Sequence, residues 1–176
     1  MQHHSQVQRS LAMAKEQAGD TVRQTPPECI VRIPPWIWFL LSLLAGVGLQ
    51  RIVPLRFSSP IADSLLGWVV VGLGMVLLAW SERQLSRHKT SHDYRTVASV
   101  LIMTGPFRFS RNPVYIGLLT LLAGLAITLN TLWMLLLAPL PFLVMQFHVV
   151  PREEACLEQL FPDTYPSYRQ SVRRWL

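Results

Sequence analysis

The chain predicts an all-α integral membrane protein with four transmembrane helices, and three features of the sequence predict it. Hydrophobic residues fill 51% of its 176 positions and charged residues only 15%, whereas an average soluble domain carries about 25% charged residues. The apolar residues gather in four runs, near 36–53, 61–80, 114–129 and 132–150, each close to the ~20 residues a helix needs to span a bilayer. Lysine and arginine are spread very unevenly among the segments between those runs. Strands are excluded for such runs because an open sheet would leave backbone N–H and C=O groups unpaired in lipid.

The length fits one domain, divided into a polar N-terminal extension, residues 1–33, and a membrane domain, residues 34–176. The extension is Gln-rich and leads into Pro26, Pro27, Pro34 and Pro35. Val7, Leu11 and Ala14 have loose helical spacing, which fits a short interfacial helix or a disordered segment equally. It is too long and polar for the n-region of a signal peptide. In the first run Trp36 and Trp38 suit the membrane interface. The second carries no charge after Asp63. Only Asn130 and Thr131 separate the third and fourth runs, which predicts an antiparallel helical hairpin. Pro139 and Pro141 remove two backbone donors from the fourth run and predict a kink. Beyond it Tyr165, Tyr168, Val172 and Trp175 recur at three- to four-residue spacing with arginines on the other side. That is an amphipathic C-terminal helix suited to lying on the membrane or folding back as a lid.

The formal net charge is +6. In a soluble protein this would point to nucleic acid; beside four apolar runs it is read as membrane orientation and contact with anionic lipid, and no nucleic-acid partner is expected. Fourteen of the sixteen Lys and Arg residues lie before the first run, in the loop 81–113 or in the tail 151–176, against Arg51 and Arg56 between the first two runs. The positive-inside rule places that loop, the tail and both termini in the cytoplasm. Cys29 and Cys156 have no metal-ligand spacing and are expected to be ordinary thiols. No metal site is expected.

Chemistry-bearing residues cluster at the ends of the runs. In TGPFRFSRNPVYIG, residues 104–117, Gly105-Pro106 signals a turn. Asn112 is a good helix N-cap and Pro113 a good first helical residue, so the third helix starts here. Arg111 then sits beside a helix N-terminus, whose dipole disfavours a cation by roughly 0.3–1 kcal/mol. A lipid phosphate, a protein carboxylate or an anionic ligand would offset that. The plainer reading is that Arg108 and Arg111 are snorkelling anchors. Gly117, one turn in, allows close approach of a ligand or another helix. In VVPREE, Glu153 and Glu154 follow the fourth run directly. They need cations beside anionic lipid, and Arg111, Arg152 or a cationic ligand are the candidates, although a solvated face is the plainer reading. His148 is an ionisable residue near membrane depth. Gly72 and Gly74 form a Gly-x-Gly pair in an apolar helix, which ordinarily means close helix packing.

Taken together, TGPFRFSRNPVYIG, a tight helical hairpin, VVPREE and LFPDTYPSYRQSVRRW resemble, in that order, the isoprenylcysteine carboxyl methyltransferase and phospholipid methyltransferase superfamily of integral membrane enzymes. The resemblance covers about residues 65–176 and implies S-adenosyl-L-methionine as cofactor. It implies that the Gly105-Pro106 turn and Arg111, Asn112, Pro113, Tyr115 and Gly117 match the motif at the cofactor pocket. Glu153 and Glu154 match the Glu-Glu pair implicated in cofactor binding, and Gly72 and Gly74 match the Gly-x-Gly of the phospholipid methyltransferase branch. Asn112 stands where eukaryotic carboxyl methyltransferases have His, which weakens the expectation of a eukaryote-like prenylcysteine substrate, and Pro162 stands where relatives have Gly.

The residues fit that implication chemically. Glu153 or Glu154 suits the cofactor's cationic groups, Arg108 or Arg111 its carboxylate, and Tyr115 or an aromatic residue of the tail its adenine or sulfonium. Methyl transfer needs alignment and desolvation more than a covalent intermediate. A carboxylate acceptor would be oriented by Arg111; an amine acceptor would lose a proton to Glu154 or His148. The expected substrate is lipophilic and enters from the bilayer. The alternative is a non-catalytic scaffold or transporter subunit, but a transporter places polar groups near mid-bilayer, and here they gather at one face.

Overall fold

The computed structural model describes residues 33–56, 60–87 and 100–176. The expectations for residues 1–32, and the basic positions Lys89 and Arg95, lie outside these. Every regular element among the described residues is helical. They are α1 (Pro35–Ile52), α2 (Pro60–Arg87), a 3₁₀ turn (Gly105–Arg108) and α3 (Pro113–Thr128). A continuous helical run follows, made of α4 (Leu132–Leu137), α5 (Pro139–Val144), a π turn (Met145–Val149) and α6 (Val150–Leu160), and then α7 (Tyr165–Ser171).

Three helical stretches are long and apolar enough to cross a membrane, Pro35–Ile52, Leu65–Arg87 and Leu132–Leu160. This corrects the expectation of four. The run predicted to cross at 114–129 forms a shorter apolar helix, α3, of 16 residues. At 1.5 Å per residue it is about 24 Å long, short of a hydrocarbon core of about 30 Å. Its limits are local: Pro113 stands at its first position, and Asn130 turns the chain with φ 46° just past its end. Helix α2 runs on to Arg87 rather than stopping near Trp80, and the Ser81 hydroxyl is absorbed within it by donating to the Leu77 carbonyl at 2.8 Å.

Prolines shape the last run. Pro141 cannot donate to the Leu137 carbonyl, and Ser42 on α1 donates to it instead at 3.2 Å. The helix divides at Ala138 into α4 and α5, as the proline pair predicts. Pro151 likewise has no N–H for the Phe147 carbonyl, and its ring needs room there. The turn preceding it is widened to a π turn, in which the Val150 N–H reaches back to Met145.

Glycines join α2 to α3. A Cβ on Gly74 would lie 2.9 Å from the Leu121 backbone nitrogen, one on Gly117 2.8 Å from Leu78 Cγ, and one on Gly124 2.6 Å from the Val71 nitrogen. The two backbones therefore touch along a seam, the device by which apolar helices associate where no hydrophobic driving force exists. The outer side of α2 exposes Leu65, Trp68, Leu73 and Val76, an apolar surface fit for lipid. At one end of the molecule the turn after α3 is tied to the end of α1. Leu132 N–H donates to the Leu55 carbonyl at 3.0 Å, Thr131 Oγ1 to Gln50 Oε1 at 3.1 Å, and Trp133 Nε1 to the Val53 carbonyl at 2.7 Å. At the opposite end, Phe39, Tyr115, Met145, Val149 and Val150 form a buried cluster from α1, α3, the π turn and α6. Above it lies a polar rim.

Cys156 on α6 is disulfide-bonded, which corrects the expectation of an ordinary thiol there; the expectation for Cys29 lies outside the described residues.

Candidate functional site

The rim is assembled from three separated pieces of chain: the turn leading into α3, the start of α6 and the C-terminal tail. Gly105 begins the first piece. Its φ of +63° is a conformation other residues rarely adopt, and a Cβ there would also run into the Gln84 side chain, 2.5 Å from Nε2. Gln84 Nε2 donates to Thr104 Oγ1 at 3.1 Å, so the end of α2 holds the start of the turn. The Pro106 carbonyl accepts from the Phe109 and Ser110 N–H groups and closes the 3₁₀ turn. Arg108, its last residue, is exposed and stands apart from the rim's buried charges.

Arg111 and Asn112 follow, and both turn inward. Asn112 occupies the N-cap position of α3 but makes no capping hydrogen bond with its side chain. Its amide Nδ2 donates instead to the Arg174 carbonyl at 3.0 Å. The cap expected from the sequence is thus replaced by a tether to the tail. Ser110 Oγ donates to the same carbonyl at 3.2 Å, and the Arg111 N–H donates to the Arg173 carbonyl at 3.0 Å. Trp175 completes the docking: its Nε1 donates to Gln146 Oε1 at 2.7 Å, and its ring lies 5.2 Å from that of Phe142. The amphipathic pattern over 165–175 therefore resolves into the short helix α7, ending at Ser171, and an extended tail folded back onto the rim.

The charged centre is Glu154, 6% exposed. Arg174 grips it with two hydrogen bonds, Nε to Oε1 at 3.0 Å and a terminal nitrogen to Oε2 at 2.6 Å. Arg111 approaches Oε1 from the other side at 2.8 Å. Here is the anion that a guanidinium beside a helix N-terminus requires. The same Arg111 nitrogen donates a long bond, 3.5 Å, to the Tyr165 hydroxyl, while Arg111 Nε is buried without a hydrogen-bond partner. Burial raises the Tyr165 hydroxyl pKa, partly countered by the bond from Arg111. Burial pushes Tyr168 up to about 12, so it remains a donor, to the Phe107 carbonyl at 2.7 Å. Beside this triad the Tyr115 hydroxyl donates to Glu153 Oε1 at 2.5 Å.

The structure thus brings together Arg111, Asn112, Tyr115, Glu153 and Glu154, with Pro106 and Pro113 buried in the turn and helix start that carry them. It places the remaining predicted residues elsewhere. Gly74 and Gly117 lie in the α2–α3 seam, Gly72 faces open space on the outer side of α2, and His148 and Arg152 are exposed. Sequence reasoning did not single out Arg174, Ser110 or Gln146. The signal for Arg174 is an arginine next to Trp175 in a tail rich in aromatic residues, where a purely solvated charge gains nothing from its neighbours. Among the described residues no group of His, Cys, Asp and Glu side chains could hold a metal ion.

No curated protein and no solved structure matches the chain. A family model does: the phospholipid methyltransferase family, over residues 62–164, which is more than half of the 176 residues and runs from α2 through the turn, α3 and the Glu153-Glu154 pair to the residue before Tyr165. With three membrane-length apolar helices and this match, the chain belongs to the phospholipid methyltransferase family, within the isoprenylcysteine and phospholipid methyltransferase superfamily.

Proposed function

We propose that the protein is an S-adenosyl-L-methionine-dependent methyltransferase that methylates a lipid-tailed acceptor at this rim. The observation that carries the reading is the buried pairing of Arg111 with Glu154 and of Tyr115 with Glu153 on adjacent helix ends. The donor set fits the cofactor. Carboxylates suit its ammonium and sulfonium, guanidinium suits its carboxylate, and Arg111 Nε is a buried donor still lacking an acceptor. When bound, the cofactor supplies an electrophilic methyl group on sulfur.

The chain's part is to bind, orient and exclude water. With both oxygens held by guanidinium groups, Glu154 suits anchoring a cation better than taking up a proton. Glu153 is the better-placed carboxylate to accept a proton from an amine acceptor, by way of its Tyr115 contact. The exposed apolar side of α2 supports entry of the acceptor from the bilayer. The skew of fourteen basic residues against two supports a cytoplasmic rim, with both termini on that face. The choice between an amine and a carboxylate acceptor rests on the family match, which favours a phospholipid amine.

Two measurements test this. Purified protein in detergent should bind S-adenosylhomocysteine by calorimetry, and Glu154→Gln should abolish the signal. Membranes carrying the protein, given methyl-labelled cofactor, should yield a labelled lipid. Absence of both binding and labelling would reject the assignment.

A further inference from the structure

We propose that the Arg174 side chain is a built-in occupant of the cofactor's amino-acid subsite, displaced from Glu154 when a ligand ammonium arrives while the tail backbone stays docked. The inference rests on the preceding reading of Glu154. The geometry separates the two halves of Arg174. Its carbonyl is fixed by Ser110 Oγ and Asn112 Nδ2, and the flanking residues are fixed by the Arg111 N–H and Gln146. Its guanidinium is held by Glu154. It is also the most accessible member of the triad: its side chain is 27% exposed, against 12% for Arg111 and 9% for Glu154. Rotation of one side chain therefore frees Glu154 Oε2 and leaves Oε1 to Arg111 alone, without disturbing the backbone tether.

The charges favour the exchange. Glu154 with two guanidinium groups carries a net surplus of one positive charge. A zwitterion entering between Glu154 and Arg174 gives its ammonium to the carboxylate and its own carboxylate to Arg111 Nε, the buried donor without a partner. The zwitterion adds no net charge, so the surplus stays at one, but each end of the ligand meets an opposite charge. Arg174 thereby keeps Glu154 oriented in the absence of ligand, and it selects ligands that bring a cation of their own.

The test compares S-adenosylhomocysteine, which has the amino-acid end, with 5′-methylthioadenosine, which lacks it, by calorimetry on the full-length protein in detergent. Arg174→Ala should tighten S-adenosylhomocysteine by about fivefold, the equilibrium worth of a partly exposed ion pair, and leave 5′-methylthioadenosine unchanged. Arg174→Lys, which makes a point contact rather than a fork, should fall between wild type and Arg174→Ala. Because Glu154 keeps Arg111 in both variants, the rim should remain folded, which thermal unfolding checks. Weaker or unchanged S-adenosylhomocysteine binding in Arg174→Ala overturns the proposal. Failure of wild type and both variants to bind either compound overturns the underlying cofactor assignment instead.

Discussion

The α2–α3 seam and the polar rim are both close contacts between helices, yet they are held by opposite means. In the seam nothing is charged, and contact depends on the missing side chains of Gly74, Gly117 and Gly124. At the rim contact depends on three long charged side chains meeting at Glu154. The seam is a matter of shape, so it tolerates any residue that fits. The rim is a matter of charge balance, so each member depends on the other two. The difference teaches where this fold is rigid and where it can respond. A glycine seam has one arrangement, while an Arg–Glu–Arg triad has a spare cation that can be traded.

The largest effect should come from breaking that balance. Glu154→Ala leaves Arg111 and Arg174 facing each other with no anion between them, one of them 12% exposed. Removing one partner of a buried pair costs about 3–5 kcal/mol. A matching loss of stability is expected in denaturant unfolding of the detergent-solubilised protein. A loss below about 1 kcal/mol, the worth of a surface pair, would mean that water reaches the rim freely and that it is not a desolvated site.

The seam offers a sharper contrast, because two glycines two residues apart behave differently. Gly74→Leu forces a side chain against the α3 backbone, where even a Cβ meets Leu121 nitrogen at 2.9 Å. Overpacking of this kind costs about 1–3 kcal/mol. Gly72→Leu enters open space and should change stability by less than about 0.5 kcal/mol, as surface substitutions do. The paired measurement is the midpoint of thermal unfolding for both variants. Equal midpoints would show that α2 does not present Gly74 to α3.

These regions were not equally legible in the sequence. The helical class, the ends of α1 and the break at Pro139 and Pro141 could be read from apolar run length and proline chemistry alone. So could the start of α3 at Pro113, whereas for Arg111 a helix N-terminus says only that some anion is needed, and a lipid phosphate, a protein carboxylate and an anionic ligand all meet that need. What could not be read depends on tertiary approach. Gly72 and Gly74 look alike in a string, and only the direction of α3 separates them. Asn112 has the chemistry of a cap, but the Arg174 carbonyl competes for its amide. The length of α3 misled because an apolar run of 16 residues reads much like one of 18 until a proline and a left-handed asparagine fix its ends. Arg174 was invisible because its role comes from a tail that folds back, which spacing cannot report.

The smallest effect should come from the ion pair that most resembles the rim on paper. Arg169 on α7 meets Glu158 on α6 at 3.3 Å, again an arginine from the C-terminal region on a glutamate of α6. Here the side chains are 47% and 50% exposed. Solvent screens the attraction, and holding two long side chains together costs entropy, so the pair is worth about 0.2–1 kcal/mol at most. A double-mutant cycle through Arg169→Ala and Glu158→Ala should give a coupling at the low end of that range, falling further as salt rises. The same cycle through Arg174 and Glu154 should give a larger coupling that salt barely moves, because its carboxylate is buried. If the two cycles agreed in size and salt dependence, burial would not be what distinguishes Glu154, and the case for a desolvated, exchangeable ion pair at the rim would fall with it.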